Sequence, residues 1–118
     1  MKPKSHHLRR KKRIRKKIFG TAERPRLAVH KSLKNMIAQV IDDTTGNVLI
    51  YASTLSKELD GKLEEGDKKF AANQLGLLVA TKCKAAQIER VVFDRSGFPY
   101  QGRIAEVANG AREGGLHF

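Results

Sequence analysis

The sequence predicts an α/β protein in which two helices cover a mixed sheet of four strands in the order 3-2-1-4. Three short segments of alternating apolar and polar residues come first, and turn residues separate them, which is typical of an antiparallel meander. An amphipathic segment, a short apolar run and a second amphipathic segment follow, as in a crossover to a further strand and helix. The predicted order of elements is therefore βββαβα.

The meander begins after Pro25, which restricts Arg24 to extended geometry. In the first strand, Leu27 and Val29 face one side and Ala28 and His30 face the other. Strands are expected at residues 26–31, 36–41 and 48–53, with polar turns at 32–35 and 42–47. Gly46 suits the positive φ that such a turn requires.

A polar connection over residues 54–66 leads to the first helix, which starts near Asp67 and runs to about Gln87. Its apolar stripe is predicted to comprise Phe70, Ala71, Leu75, Leu78, Val79, Cys83 and Ala86. The fourth strand spans residues 91–93, and the second helix starts near Ile104 and stops at Gly114 and Gly115. Residues 116–118 are expected to fold back onto the body.

The topology brings two polar segments together. A right-handed crossover makes the fourth strand parallel to the first, beside which it lies. The carboxyl ends of parallel strands meet at one edge of the sheet, so the hairpin tip at 32–35 and the loop at 94–103 are expected to be neighbours.

The charge of the chain is unevenly placed. Its 118 residues carry a net charge of +12, and residues 1–22 hold ten Lys or Arg and no acidic residue. We therefore divide the chain into a basic arm, residues 1–22, and a globular body, residues 23–118. The arm is expected to be disordered alone and to bind a polyanion. A nuclear-import signal is the main alternative, and a membrane-surface segment is disfavoured because the apolar side is thin.

Other chemistries are poorly supported. The single cysteine, Cys83, lies on an apolar helix face, is interpreted as a core residue and fits a reducing, cytoplasmic location. The histidines fit no zinc motif, no catalytic triad can be argued and no cofactor is expected. Asp42, Asp43 and Asp94 raise the alternative of a metal-dependent nuclease. However, Asp42 and Asp43 are expected at the edge away from Asp94 and are interpreted as turn residues. A DNA-compacting protein is a further alternative.

The loop after the fourth strand carries the clearest ligand-binding pattern. Arg95, Tyr100, Gln101 and Arg103 suit an anionic, planar ligand, and Tyr100 could stack on a base as in RNA readers. That Phe98 and Tyr100 only pack the loop onto the helix is an equal alternative. Asp94 is interpreted as an anchor for Arg95 or for nearby backbone amides.

Two separated signatures resemble a known family. Gly20-Thr21, Arg24-Pro25-Arg26-Leu27, Lys31-Ser32, Ala38-Gln39 and Ile41-Asp42 form the first signature. Val92-Phe93-Asp94-Arg95, Gly97, Tyr100, Gly102-Arg103, Ala111-Arg112-Glu113 and Gly115-Leu116 form the second. Together they resemble the bacterial large-subunit ribosomal protein L eighteen (uL18) family over nearly the whole chain. The chain departs from that pattern at Ser96, where Gly is expected, and at Gln101, where His is expected.

The resemblance implies a non-catalytic, structural protein of the large ribosomal subunit. It implies binding to 5S rRNA, which the protein would help to attach to 23S rRNA in the central protuberance, beside ribosomal proteins that include the L five (uL5) family. No membrane and no small-molecule substrate are implied. The expected RNA-binding residues are Arg9, Arg10, Arg13, Arg15, Lys16, Lys17, Arg24, Arg26, His30, Lys31, Ser32, Lys34, Asn35, Arg95, Ser96, Tyr100, Gln101 and Arg103.

Overall fold

The computed structural model describes residues 18–32, 35–56, 59 and 67–118. Its elements are β1 (Arg26–Lys31), β2 (Met36–Asp42), β3 (Asn47–Ser53), α1 (Lys68–Ala85), β4 (Val92–Asp94) and α2 (Arg103–Glu113). The sheet order is β3-β2-β1-β4; β1 pairs antiparallel with β2 and parallel with β4. The predicted fold, sheet order and two covering helices are confirmed. Most of the predicted arm, residues 1–17, lies outside the described residues.

The alternation along the strands produces one buried and one open face of the sheet. Leu27 and Val29 of β1 are fully buried, as are Ala38 and Val40 of β2, because they face the helices. The opposite face of these two strands surrounds an open depression of about 360 Å³. The depression is lined by Arg26, Ala28, His30, Ile37, Gln39, Ile41 and Ser96.

The first helix begins as predicted, but its buried face differs from the predicted stripe. The Asp67 carboxylate caps α1 by accepting a hydrogen bond from the Phe70 amide at 2.9 Å. Phe70 itself is 40% exposed, and Ala86 is exposed beyond the helix end. The buried residues are Ala72, Leu75, Gly76, Leu78, Val79, Ala80 and Cys83.

The physical reason for this difference is that α1 packs on two neighbours, the sheet and α2. Gly76 of α1 and Gly110 of α2 bring the two backbones together, because a Cβ at Gly76 would collide with the Val107 carbonyl. The small residues Ala72, Gly76 and Ala80, spaced four apart, therefore form a second buried ridge. A single apolar stripe cannot describe a helix with two buried faces.

The chain end folds back onto the body as predicted. Leu116 is buried, and His117 pairs with the segment before β4 through a bridge to Arg90. The Phe118 ring stacks on the Phe93 ring with 5.6 Å between centroids. This contact covers part of the β4 side of the sheet.

Cys83 is a core residue, as interpreted from the sequence. Its side chain is fully buried and unpaired, and burial raises the pKa of its thiol from 9.0 to about 11. The thiol is therefore protonated in the folded protein at neutral pH, and it lacks the thiolate that nucleophilic chemistry requires.

Cys83 should make the protein sensitive to alkali. Because the folded-state pKa is above that of the unfolded chain, its contribution to stability is complete below pH 9 and is lost between pH 9 and about 11. We expect the free energy of unfolding to fall by roughly 2–3 kcal/mol more in this range than in a Cys83→Ala variant. Urea unfolding at pH 8 and pH 11 measures the difference. An equal alkaline loss in both proteins would contradict the assignment.

Candidate nucleic-acid interface

The hairpin tip and the loop after β4 lie at the same edge of the sheet, as the topology predicts. The Arg103 guanidinium Nη1 lies 3.4 Å from the Ser32 carbonyl oxygen, which accepts a hydrogen bond from it. We call residues 30–32, 35 and 95–103 the basic edge. Lys34 belongs to the predicted tip but lies outside the described residues.

The hairpin tip is closed by its own polar side chains. The Ser32 hydroxyl accepts a hydrogen bond from the Asn35 amide at 3.2 Å, and the Asn35 carbonyl accepts one from the Ser32 amide at 2.8 Å. The Asn35 side-chain oxygen also accepts a hydrogen bond from the Thr54 hydroxyl at 3.2 Å. Ser32 and Asn35 therefore shape the turn that presents Lys31.

A half-buried aromatic ring contacts both His30 and Lys31 at the hairpin tip. The His30 ring meets the Phe98 ring edge-on with 5.5 Å between centroids, and Lys31 Nζ lies 5.3 Å from the centre of Phe98. This cation–π contact holds the ammonium group near the loop. Phe98 thus joins the hairpin tip to the loop.

Tyr100 is packed on one side and open on the other. Its ring meets Phe93 edge-on at 5.8 Å, and its hydroxyl accepts a hydrogen bond from the Arg112 guanidinium at 3.0 Å. The residue is still 45% exposed, so it is both packed onto the helix and open to a ligand. The Arg112 guanidinium also lies over the Phe118 ring. The sequence does not predict that Arg112 contacts the loop, because almost the whole length of α2 separates them along the chain.

Two consecutive residues with positive φ reverse the chain after β4. Ser96 has a φ of +53° and Gly97 a φ of +83°. The Ser96 amide donates to the Asp94 carboxylate at 2.8 Å, and Arg95 donates to the Phe98 carbonyl at 3.2 Å. The interpretation of Asp94 as an anchor of loop amides is confirmed. Ser96, which is predicted to contact RNA, lines the open depression but exposes little of its surface.

Arg26, which is predicted to contact RNA, lines the open depression but is almost completely buried. It is 9% exposed, and its guanidinium donates from Nη1 to Asp94 at 2.7 Å and from Nε to Asp43 at 2.9 Å. Burial alone would lower the pKa of Arg26, but hydrogen bonds and charges from Asp43 and Asp94 outweigh it and raise the pKa.

Asp43 lies in the turn after β2, at the edge predicted for it, but Arg26 connects it to Asp94. The strand β4 has only three residues, so one arginine side chain reaches from its far end to the turn after β2. Both carboxylates bind the guanidinium between them, which removes the open carboxylate pair that a metal-dependent nuclease would need. Among the residues that the structure describes, no group of three His, Cys, Asp or Glu side chains could hold a metal ion.

The other predicted contacts divide into two groups. Arg24 and Gln101 are exposed, as a binding role requires. The predicted arm residues Arg9, Arg10, Arg13, Arg15, Lys16 and Lys17 all lie outside the described part of the chain.

Both helices direct their amino-terminal ends toward the basic edge. The strand directions require this, because α1 and α2 each run antiparallel to β1 and β4. The first residue of α2 is Arg103, and the preceding Gly102 has a φ of +57° and provides no side-chain cap. The positive end of the α2 dipole therefore adds to the side-chain charge at this edge, whereas the Asp67 carboxylate offsets the positive end of α1.

These features define the class of the protein: a body with a basic edge, preceded by an acid-free basic arm, is typical of a nucleic-acid-binding protein. The chain matches over residues 1–118 the family model described as "Ribosomal L18 of archaea, bacteria, mitoch. and chloroplast". The chain therefore belongs to this family of ribosomal proteins, as its resemblance to the uL18 signatures predicted.

Curated relatives agree with this assignment. The chain is 65% identical over 111 residues to the "Large ribosomal subunit protein uL18" of Myxococcus xanthus, covering 94% of this chain and 93% of the relative. It is 56% identical over 110 residues to the protein of the same name from Sorangium cellulosum, covering 93% and 92%. The corresponding protein of Thermotoga petrophila is 50% identical over 115 residues, covering 98% and 94%.

Family membership confirms several coarse predictions. The protein is a structural ribosomal protein of the large subunit and not an enzyme, its partners are ribosomal RNA and ribosomal proteins, and it resides with ribosomes in the cytoplasm. Separately, none of the helices in the described segments has the length and apolar character needed to cross a membrane.

Asp94 provides a test of how the loop is held. Replacing it with Ala leaves Arg26 buried with one partner and frees the Ser96 amide, so we expect the free energy of unfolding to fall by about 3–5 kcal/mol. The matched control is Asp67→Ala, which removes a helix cap and should cost about 1 kcal/mol. Urea unfolding followed by circular dichroism measures both. Similar losses in the two variants would show that Asp94 is not an anchor.

Proposed function

We propose that this protein binds 5S rRNA through the basic arm and the basic edge, and that it helps to attach 5S rRNA to 23S rRNA in the central protuberance. The observation that carries the proposal is the convergence of Lys31, Arg95 and Arg103 with the uncapped amino terminus of α2 at one edge. Phosphate groups of RNA are the natural ligands of such an edge.

The division of charge supports two modes of contact. The arm has a large excess of positive charge, whereas residues 23–118 contain 14 basic and 12 acidic residues. The arm, residues 1–22, accordingly supplies long-range attraction and phosphate contacts along the RNA backbone. The body, residues 23–118, supplies a fixed shape that binds one part of the RNA.

The open face of the sheet extends the basic edge. His30 belongs to the basic edge and also lines the open depression. Gln39 lines the same depression and pairs with Ala28 of β1. The imidazole and the amide can hydrogen-bond to base edges, while Ile37 and Ile41 offer apolar contact to a base. Proteins that recognise RNA sequence commonly use such surfaces for unpaired bases. Tyr100 offers a further exposed ring at the edge.

We assign the remaining predicted contacts to the same RNA. Arg24 lies beside the base of the arm, Gln101 lies on the exposed loop, and Lys34 belongs to the hairpin tip. 23S rRNA and neighbouring proteins, including the L five (uL5) family, are the proposed partners in the assembled subunit. The resemblance to the uL18 signatures supports these identities.

Filter-binding measurements of affinity for different nucleic acids test the proposal. At physiological salt we expect tighter binding to 5S rRNA than to a DNA duplex of equal length, because the body fits folded RNA as well as phosphate charge. A tRNA serves as the control for general affinity to folded RNA. Equal affinity for 5S rRNA and for the duplex would refute the proposal.

Removing charge from the arm or the edge should weaken binding without unfolding the body. Deleting residues 1–17 should lower both the affinity and its salt dependence.

Replacing Arg103 with Ala should reduce the slope of log affinity against log salt by about 1, as for the loss of one phosphate contact. The matched control is Lys84→Ala in α1, at the opposite edge. Thermal unfolding should stay unchanged for Arg103→Ala, and a large stability loss would show that Arg103 is structural.

A further inference from the structure

We propose that Arg26 is a positioning residue that couples the base of the basic arm to the loop at residues 95–103. Through this coupling, RNA contacts made by the arm strengthen those made by the loop. The inference rests on the proposed function, because both segments are taken to bind the same RNA. In this role Arg26 acts through Asp43 and Asp94 and not through the RNA.

The first link joins the base of the arm to Asp43. The Gly20 amide donates to the Asp43 carboxylate at 2.8 Å, and the Asp43 amide donates to the Gly20 carbonyl at 3.0 Å. Gly20 is buried so closely against Arg26 and Ile41 that a Cβ there would collide with the Arg26 amide nitrogen. The chain therefore leaves the body from a fixed point next to Arg26.

The second link joins Asp94 to the loop. One oxygen of its carboxylate accepts from Arg26 at 2.7 Å, and the other accepts from the Ser96 amide at 2.8 Å. Asp94 is fully buried, so water does not compete for these bonds. The carboxylate thus fixes the backbone between Arg95 and Gly97.

The guanidinium of Arg26 joins the two links. Its Nε and Nη2 donate to the two oxygens of Asp43 at 2.9 and 3.1 Å, while Nη1 donates to Asp94. A guanidinium is planar and rigid, so it fixes the two carboxylates relative to each other. A lysine ammonium is a compact group on a flexible stem and cannot reproduce this fork.

Such a connection lowers the entropic cost of binding RNA at two places. When the arm base and the loop are already held in one arrangement, RNA bound by the arm meets the loop in a competent geometry. The loss of affinity when both the arm and the loop are altered should therefore be smaller than the product of the two single losses. Losing either segment removes part of the benefit of the other.

A double-mutant cycle on 5S rRNA affinity tests this coupling. The cycle uses two changes, deletion of residues 1–17 and Arg103→Ala, each made alone and both made together. The whole cycle is measured in the native protein and again in the Arg26→Lys variant. In the native background we expect the combined loss to be at least about five-fold smaller than the product of the single losses. With Arg26→Lys we expect the losses to multiply. A coupling that persists at full size in Arg26→Lys would overturn the proposal.

Two further variants separate positioning from general stability. Val79→Ala weakens the core far from the edge and should leave the coupling intact, although it lowers the unfolding temperature. If Arg26→Lys does not fold, Asp43→Asn replaces it, because this change weakens only the arm side of the fork. Loss of coupling in Asp43→Asn supports the proposal, and full coupling in Asp43→Asn refutes it.

The same experiment distinguishes failure of the inference from failure of the proposed function. If the native protein does not prefer 5S rRNA, the proposed function is wrong. If it prefers 5S rRNA but the arm and loop losses multiply in the native background, only the coupling through Arg26 is wrong.

Discussion

The buried guanidinium of Arg26 between Asp43 and Asp94 is the interaction on which the arrangement of the other segments depends. A buried charge is tolerated only when it is paired and hydrogen-bonded, so the start of β1, the turn after β2 and the end of β4 must meet at one point. Such pairs add little net stability over well-packed apolar residues, but breaking one is costly. The cluster therefore acts mainly by selecting one arrangement of these three segments.

Chain direction then determines where positive charge gathers. Because β1 and β4 are parallel, the hairpin tip and the loop after β4 share an edge, and because α2 runs back from that edge, its uncapped positive end points toward it. Lys31 and Arg103 add side-chain charge there. A body of low net charge can thus present a strongly positive edge, which suits ribosomal RNA.

Much of this could be predicted from periodicity and turn residues. The order of elements and the shared edge can be predicted from three features: the alternation in β1 and β2, the Asp67 cap and the single crossover. The burial of Arg26 could not be predicted, because an arginine on the outward-facing side of a strand has the same pattern whether it is exposed or buried. Its burial depends on two carboxylates that are 17 and 68 residues away and on the three-residue length of β4. The buried face of α1 differs from the predicted stripe because the contact with α2 is made by the small residues Ala72, Gly76 and Ala80, which a search for large apolar residues does not detect.

The central claim is that the basic edge, supported by Arg26, is the surface that meets ribosomal RNA. Amide hydrogen exchange of the full chain, measured free and bound to 5S rRNA, tests it most directly. We predict that bound RNA slows exchange at residues 30–32 and 95–103 and leaves residues 84–90, at the opposite edge, unchanged. Protection confined to residues 84–90, or spread evenly over the body, would contradict the claim.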